Sequence, residues 1–288
     1  MPLGVSFFIL VYSLLLEAAA RFRFFSFTKY LILSLFAVSI TLSVYNGKNE
    51  PDIKTVEIKN SPKELKGLKA VLLTDLHIEP SKGEFADLLV SYVNSLSPDV
   101  VFISGDICDG ELNDVRANLN KLSSLRSVYG TYYAPGNHEY YYGDFNEKMY
   151  FLSALGFNVL VNSNTAVNTK NGTFGVVGLS DLAAKRGGLE EPDPKKAFEG
   201  AVKPSILLAH QPKSAVLAES YLPFLTLSGH THNGQIWPFG YLVRLVQPFV
   251  YGKYDFAGGE IVVSSGCGLW GPPMRFFTDS EIVVLEFR

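Results

Sequence analysis

The five histidines of this chain lie in short polar motifs beside carboxylate and amide side chains. The most distinctive motif is GHTHNGQ, residues 229–235, which places His230 and His232 between glycines directly after an apolar run. Further polar positions follow apolar runs in the same way: Asp75 with His77, Asp106, Asn137 with His138, and His210. Imidazole, carboxylate and amide donors together suit borderline divalent cations such as manganese, iron, zinc or cobalt, whereas a calcium or magnesium site would be nearly all oxygen. The set is too large for one tetrahedral ion and therefore predicts two adjacent ions.

Two divalent ions that share one carboxylate are a recurring device for hydrolysing phosphate esters. Each ion would polarise phosphoryl oxygens, and together they would acidify a bridging water so that hydroxide forms near neutral pH. The nucleophile would then come from solvent. In agreement, the sequence contains no G-x-S-x-G elbow, no P-loop and no C-x-x-C pair. The sequence therefore predicts a metal-dependent phosphoester hydrolase.

The polar motifs stand at the ends of short apolar runs that resemble buried strands. We predict strands at 70–75, 99–106, 131–137, 173–181, 205–210, 224–230, 260–266 and 281–287, and helices at 84–96, 112–127 and 145–156. Strands that alternate with helices predict a layered α/β fold. Open α/β sheets bind ligands at the carboxyl ends of their strands, so we expect the polar side chains to meet there.

The motifs D-x-H, G-D, G-N-H-E, a single H and G-H-x-H, in this order, resemble those of the calcineurin-like metallophosphoesterases over about residues 68–288. The resemblance implies two packed sheets flanked by helices, with the motifs on loops at one end of the sandwich. The implied metal ligands are Asp75, His77 and His232 for one ion, Asn137, His210 and His230 for the other, and Asp106 as the bridge. It also implies that His138 is catalytic, stabilising charge on the phosphate and protonating the leaving oxygen rather than binding metal.

Two departures from the family pattern narrow the range of activities that we expect for this chain. Protein Ser/Thr phosphatases of this family carry an Arg in G-D-x-x-D-R-G, whereas GDICDG has Gly110 at that position, so we expect no protein phosphatase activity. The N-terminal apolar run and the tail SSGCGLWGPPMRFF are similar to a bacterial membrane-associated phosphodiesterase branch, which includes the membrane-anchored UDP-2,3-diacylglucosamine pyrophosphatase. Ser265 and Asn233 stand where those relatives usually carry Arg and Gly.

Several polar residues near the motifs have a structural interpretation beside the functional one. We expect Glu139 to orient its neighbours rather than contact metal, and Asp181 to serve as a turn or cap residue. Residues 140–142 are three tyrosines that either line a substrate cleft or pack their loop. Cys108 should lie near the site without a required role.

Residues 1–46 contain two apolar runs, 3–16 and 30–45, which predict a membrane hairpin or anchor of one or two transmembrane helices. Residues 47–67 would then form a linker and the first strand, and 68–288 the metallophosphoesterase domain. The alternative is a signal peptide cleaved near Ala18 to Ala20, although no basic residue precedes the apolar run. Arg21 and Arg23 favour a cytoplasmic loop and an external domain, and the lysines after the second run favour the reverse.

The composition of the chain limits the classes of binding partner that we expect. The formal charge of −3 and the absence of a basic run argue against a general nucleic-acid binder, and two cysteines are too few for a disulfide scaffold. Residues 236–256 are rich in aromatics with Arg244 and Lys253 interspersed, a composition that suits a bilayer interface or an ordinary core and hairpin. We expect two kinds of partner, a lipid bilayer and a phosphoester substrate. Lipid-linked phosphoesters are among the expected substrates. The alternatives are a metal-binding scaffold without hydrolysis and a phosphomonoesterase acting on soluble substrates.

Overall fold

The computed structural model describes residues 2–20 and 25–288, which contain twelve strands and eight α-helices. The strands are β1 (Asp52–Ile58), β2 (Lys69–Leu73), β3 (Val100–Ser104), β4 (Thr131–Ala134), β5 (Asn158–Val159), β6 (Ser163–Thr169), β7 (Gly172–Gly178), β8 (Ser205–Leu208), β9 (Leu225–Ser228), β10 (Gly252–Phe256), β11 (Gly259–Val263) and β12 (Glu281–Phe287). The helices are α1 (Pro2–Ala19), α2 (Phe25–Asn46), α3 (Gly83–Leu96), α4 (Leu112–Lys121), α5 (Phe145–Ala154), α6 (Pro194–Ala197), α7 (Pro212–Val216) and α8 (Gly240–Val243).

The strands form two sheets of six. The first sheet has the order β1-β12-β2-β3-β4-β5, in which β2 to β5 run parallel and β12 pairs antiparallel to β2. The second has the order β10-β11-β9-β8-β7-β6, with a parallel centre and antiparallel edge strands. This confirms the predicted α/β fold with two sheets.

The alternation of side chains along the central strands builds three apolar layers. On β2 and β3, Leu72 and Phe102 point into the core between the sheets, whereas Leu73 and Ile103 face the layer formed with α3, α4 and α5. On the second sheet, Leu207 packs outward against the residues around α6 and α7. Because both faces of each sheet are covered, the central strands are apolar throughout, as expected for buried parallel strands.

Polar residues begin where these strands end, so the observed strands are shorter than the predicted ones. The predicted strands from 70–75 to 260–266 end two or three residues earlier than expected, because their last residues leave the ladder and turn into loops. Only 281–287 keeps its predicted bounds. The predicted helix 112–127 is also corrected, since α4 ends at Lys121 and a 3-10 turn follows at Leu122–Ser124.

The N-terminal helices pack against the domain on the side of the polar loops. Phe8 of α1 is buried against Ile236 and Met274, and the backbone N–H of Arg275 donates to the carbonyl of Ser43 in α2 at 2.9 Å. Among the described residues, one helix segment, Thr28–Asn46, is long and apolar enough to cross a bilayer by length and composition, and Gly4–Ala19 is apolar but shorter. The prediction of the membrane side used Arg21 and Arg23, and these two residues lie outside the described residues.

Candidate metal centre

The polar loops at the carboxyl ends of β2, β3, β4, β8 and β9 meet at one end of the sandwich. The loops after β2 and β3 are joined by backbone hydrogen bonds from Asp75 N–H to Gly105 O and from His77 N–H to Asp106 O, both 3.1 Å long. The backbone is left-handed at five of the polar residues: Asp75, His77, Asp106, His230 and His232. Non-glycine residues rarely adopt this conformation, and such strain concentrates at functional sites.

The first donor group consists of Asp75, His77 and His232, whose candidate ligand atoms all lie within 4.8 Å of one another. His232 Nε2 lies 3.3 Å from Asp75 Oδ1 and 3.1 Å from His77 Nε2. These three residues are buried, although 157 positions separate the first from the last in the sequence. The structure therefore brings together the three residues predicted to hold one ion.

The second donor group consists of Asp106, His210 and His230, which satisfy the same distance limit of 4.8 Å. Asn137 joins this group, because its Oδ1 lies 2.7 Å from His230 Nδ1 and 3.1 Å from His210 Nε2. The amide of Asn137 is oriented by Tyr141, whose hydroxyl accepts from Asn137 Nδ2 at 2.9 Å. The carbonyl oxygen of Asn137 therefore faces the histidines.

Asp106 stands between the two donor groups. Its Oδ2 lies 3.1 Å from His210 Nε2 in the second group and 3.9 Å from His77 Nε2 in the first. Its Oδ1 accepts the backbone N–H of His138 at 2.8 Å, which fixes the carboxylate plane. This placement suits the bridging role that the sequence predicts for Asp106. We call the two donor groups together with Asn137 the metal cluster.

Glycines allow the loops of the metal cluster to approach closely. A Cβ at Gly229 would lie 2.2 Å from Asp75 Oδ2, and a Cβ at Gly136 would lie 2.2 Å from Asp106 Oδ1. Any larger residue at either position would displace a carboxylate. The glycines of the G-N-H-E and G-H-x-H motifs thus allow the backbone to pass close to the carboxylates.

The buried charges of the metal cluster fit divalent cations. Asp75 and Asp106 are buried, and within the described ranges neither forms an ion pair with a lysine or arginine. Burial would raise their carboxyl pKa values, but the neighbouring imidazoles hold both pKa values below the usual range. Buried carboxylates without a permanent cation are costly, and bound metal would compensate them. The mixed nitrogen and oxygen donor set agrees with borderline divalent ions.

Hydrogen bonds at the outer nitrogens direct two imidazoles toward the cluster. His210 Nδ1 donates to the carbonyl of Ser104 at 2.8 Å, and His77 Nδ1 donates to Asp109 Oδ2 at 3.0 Å. Each bond assigns a ring proton to Nδ1, so that Nε2 is the nitrogen that faces the other donors and would bind metal. This is the usual outer contact of metal-binding histidines. Burial lowers the pKa of both His230 and His232 to about 4, which keeps these rings neutral as ligands.

His138 lies beside the metal cluster rather than within either donor group. Its Nδ1 is hydrogen-bonded to Asp109 Oδ1, and its Nε2 lies 3.9 Å from Asp106 Oδ2. Burial lowers the pKa of His138, but the hydrogen bond to Asp109 and the charge of Asp106 outweigh it and raise the pKa to about 8. His138 can therefore present a proton on Nε2 toward the space above the cluster, as its predicted role requires.

Asp109 is a site residue that the sequence interpretation missed. One carboxylate oxygen of Asp109 is hydrogen-bonded to Nδ1 of His77 and the other to Nδ1 of His138, so both oxygens orient imidazole rings. The two histidines draw the pKa of Asp109 below its usual range despite its burial. The signal was present in GDICDG, where a second aspartate follows Asp106 by three residues.

The remaining polar residues near the motifs have mainly structural roles. Glu139 accepts three backbone N–H groups, from Asp106 at 3.0 Å, Ile107 at 2.8 Å and Gly136 at 2.7 Å, and so ties two site loops together. Asp181 caps the 3-10 helix Leu182–Gly187 by accepting from Ala183 N–H. Cys108 is buried, and burial raises the pKa of its thiol.

The two family departures have distinct surroundings. Ser265 donates its backbone N–H to Glu281, and its carbonyl accepts from the buried guanidinium of Arg275 at 2.8 Å. Arg275 also bonds the carbonyls of Gly268 and Asp279, so an arginine from later in the tail fixes this loop. Asn233 adopts a left-handed conformation in the 3-10 turn His232–Gly234, where a glycine would meet no steric penalty.

A cavity of about 840 Å³ lies over the metal cluster, and we call it the site cavity. Its floor includes Asp106, Asn137, His138, His230 and His232, and Tyr141 stands at its side. The lining also contains a set of apolar side chains, which we call the apolar wall: Phe7, Leu10, Ile236, Phe239, Leu242, Val243 and Val246. A cavity that combines metal-cluster residues with a large apolar surface can hold a ligand with a charged head and an apolar remainder.

Comparison with known proteins identifies the family of this site. Residues 68–234 match the family model of the calcineurin-like phosphoesterases. The chain belongs to the calcineurin-like phosphoesterase family. It is therefore a hydrolase of the phosphoesterase class, and the family uses a two-metal site.

Named relatives of this phosphoesterase occur in bacteria and animals. An uncharacterized metallophosphoesterase of Campylobacter jejuni is 43% identical over 89% of this chain and 69% of its own length. One from Helicobacter pylori is 41% identical over 84% of this chain and 65% of its own, and a Danio rerio transmembrane protein with metallophosphoesterase domain is 37% identical over 90% and 62%. The phosphoesterase thus spans about two thirds of the length of these relatives.

Solved structures resemble the phosphoesterase less closely. A dimetal phosphatase from Danio rerio matches with a TM-score of 0.46 at 10% identity, covering 77% of this chain and all of that one. The NAD nucleotidase of Haemophilus influenzae matches with a TM-score of 0.47 at 15% identity, covering 70% of this chain and 50% of that one.

Proposed function

We propose that this phosphoesterase binds two divalent cations in the metal cluster and hydrolyses a phosphodiester or pyrophosphate bond. The observation that supports this most directly is the position of Asp106 between two groups of buried donors. Asp75, His77 and His232 would hold one cation, Asn137, His210 and His230 the other, and Asp106 both. We propose manganese, with iron, zinc or cobalt as alternatives, because the mixed nitrogen and oxygen donors suit borderline divalent ions.

Bound at these positions, two cations would supply Lewis acidity to the phosphoryl oxygens and lower the pKa of a water molecule. In the overall reaction, a water oxygen forms a bond to phosphorus while the bond from phosphorus to the leaving oxygen breaks. A phosphate bound at the cations would lie in the site cavity, whose floor also includes His138. Asp109 keeps the Nδ1 of His138 engaged, so that Nε2 is the atom that can deliver a proton to the leaving oxygen.

We further propose that the substrate belongs to a membrane, as in a lipid-linked or nucleotide-linked lipid phosphoester, which would place the enzyme in lipid metabolism. The apolar segment Thr28–Asn46 and the exposed aromatics Trp237 and Tyr241 support membrane association. Animal relatives named as transmembrane proteins with a metallophosphoesterase domain support it as well. The UDP-2,3-diacylglucosamine pyrophosphatase-like branch remains one proposal within this class.

The test is metal analysis combined with turnover of chromogenic substrates. The purified full chain is stripped with a chelator, reloaded with manganese, and assayed on bis(p-nitrophenyl) phosphate and on p-nitrophenyl phosphate. We expect two ions per chain and metal-dependent cleavage of the diester. Two bound ions without turnover of either substrate would favour the metal-binding scaffold, and cleavage of the monoester alone would favour the phosphomonoesterase.

A further inference from the structure

Helix α1 forms part of the wall around the metal cluster. Gly4, Ser6, Phe7 and Leu10 all line the site cavity, although they precede the nearest metal-cluster residue by more than 60 positions. A helix of the apolar N-terminal segment is therefore also a boundary of the site where hydrolysis is proposed.

The contacts that place α1 at the cavity are specific. Phe8, on the side that faces the domain, is buried and packs edge-on against Phe276 with ring centroids 5.5 Å apart. Phe7 meets Phe239, just before α8, in a T-shaped contact at 5.6 Å. Gly4 approaches Met274 so closely that a Cβ would lie 2.7 Å from its sulfur. Leu10 of α1 and Leu242 and Val243 of α8 line the same cavity, so part of the site cavity is a gap between these two helices.

That gap continues from the metal cluster to the outer surface. Leu10 and Val246 line the site cavity and are 58% and 62% exposed. The surface next to them remains apolar, because Leu14 on α1 and Leu245 beside α8 are 60% and 79% exposed. The site cavity is thus an apolar passage with metal donors at its inner end and an apolar opening beside the helices of the N-terminal segment.

We propose that the apolar wall, from α1 and the segment around α8, binds a single alkyl chain ester-linked to the scissile phosphate. The inference rests on the proposed function and names a binding element of the same site. The volume of about 840 Å³ falls in the range of roughly 300–1,000 Å³ common for ligand pockets. The chain would lie against Leu10, Val243 and Val246 while its phosphate reaches the metal cluster. Helix α1 then takes part in selecting substrates.

The proposal predicts that cleavage depends on the length of the apolar chain. Burial of one methylene contributes about 0.8 kcal/mol, or about fourfold in kcat/KM. The probes are methyl, butyl and octyl p-nitrophenyl phosphodiesters, which share the scissile bond, leaving group and charge. With the manganese-loaded full chain in nanodiscs, we expect the butyl ester to exceed the methyl ester by up to roughly 60-fold.

Two pairs of variants separate binding in the cavity from partition of the probe into lipid. Leu10→Asn has a matched control in Leu14→Asn, on the same helix and equally exposed but outside the cavity. Val246→Asn has a matched control in Leu245→Asn, so that misfolding of one variant still leaves a second pair. We expect the cavity variants to lower the octyl-to-methyl ratio of kcat/KM about fivefold or more. The control variants should keep the ratio.

The outcomes distinguish this inference from the proposed function. Equal cleavage of all three esters, or equal ratios for cavity and control variants, would overturn the alkyl-chain site while leaving the phosphodiesterase intact. If none of the esters is cleaved with manganese, the proposed function itself is wrong and the alkyl-chain site is lost with it.

Discussion

The floor and the apolar wall of the site cavity are built in opposite ways. The floor consists of buried residues at strand ends, and its loops are joined by backbone hydrogen bonds and by the three N–H groups that Glu139 accepts. The wall consists of side chains from α1 and from the segment around α8, three of them more than half exposed, and the two parts are in contact through the rings of Phe7 and Phe239. A rigid floor suits a reaction that needs fixed donor geometry, whereas an apolar wall without directional contacts suits discrimination by chain length.

The largest effect should come from Asp106→Asn, which removes the charge that both donor groups share. The amide is a weaker ligand, so we expect both ions to be lost together and activity to fall by more than for any other floor variant. Elemental analysis after dialysis measures the metal content. Asp279→Asn is the control, since Asp279 is exposed and pairs with Lys54. Loss of only one ion would show that Asp106 serves a single donor group.

The next effect should come from His138→Ala, which alters the floor without removing a proposed ligand. We expect near-normal metal content and a drop in turnover of roughly 10² to 10⁴ fold, the usual range for a general acid. Methyl and octyl esters should lose activity equally, because the wall is unchanged. A variant that purifies without metal would assign His138 to the metal cluster instead.

The floor was predictable from sequence because its chemistry coincides with the ends of apolar runs. Asp75, Asp106, Asn137 and His210 each follow a run that folds as a buried parallel strand, and parallel strands deliver their last residues to one edge. The role of Asp109 was not predictable from this pattern. It depends on how the loop after β3 turns toward His77 and His138, and no apolar run leads into Asp109 itself.

The wall and the sheet edges were less predictable for a different reason. The apolar composition of α1 predicts a membrane segment, and nothing in it indicates that Phe8 packs against Met274, more than 260 positions later.

Strands β6 and β10 were not predicted, because these edge strands are half exposed and carry polar residues such as Asn164 and Lys253 instead of an apolar run.

Asp109→Asn should weaken the floor by an intermediate amount. The amide can replace one hydrogen-bond acceptor at most, so either His77 or His138 loses its outer partner. Loss of such a contact typically costs about 10- to 100-fold in metal affinity or activity. Metal titration and turnover together show which histidine is affected. Asp114→Asn, exposed on α4, is the control, and an unchanged enzyme would remove Asp109 from the site.

The smallest effect should come from Tyr141→Phe, which keeps the ring beside His138 and removes only the hydroxyl that accepts from Asn137 Nδ2. One hydrogen bond contributes about 0.5–1.5 kcal/mol, so we expect affinity for the second ion to fall by roughly 2- to 13-fold. Tyr142→Phe is the matched control. Tyr141 and Tyr142 are similarly exposed, at 47% and 40%, and it is Tyr141 that accepts the hydrogen bond from Asn137. If both variants bind metal like the parent, the amide of Asn137 is held by the metal cluster itself, and the floor needs less support from its surroundings than the comparison with the apolar wall implies.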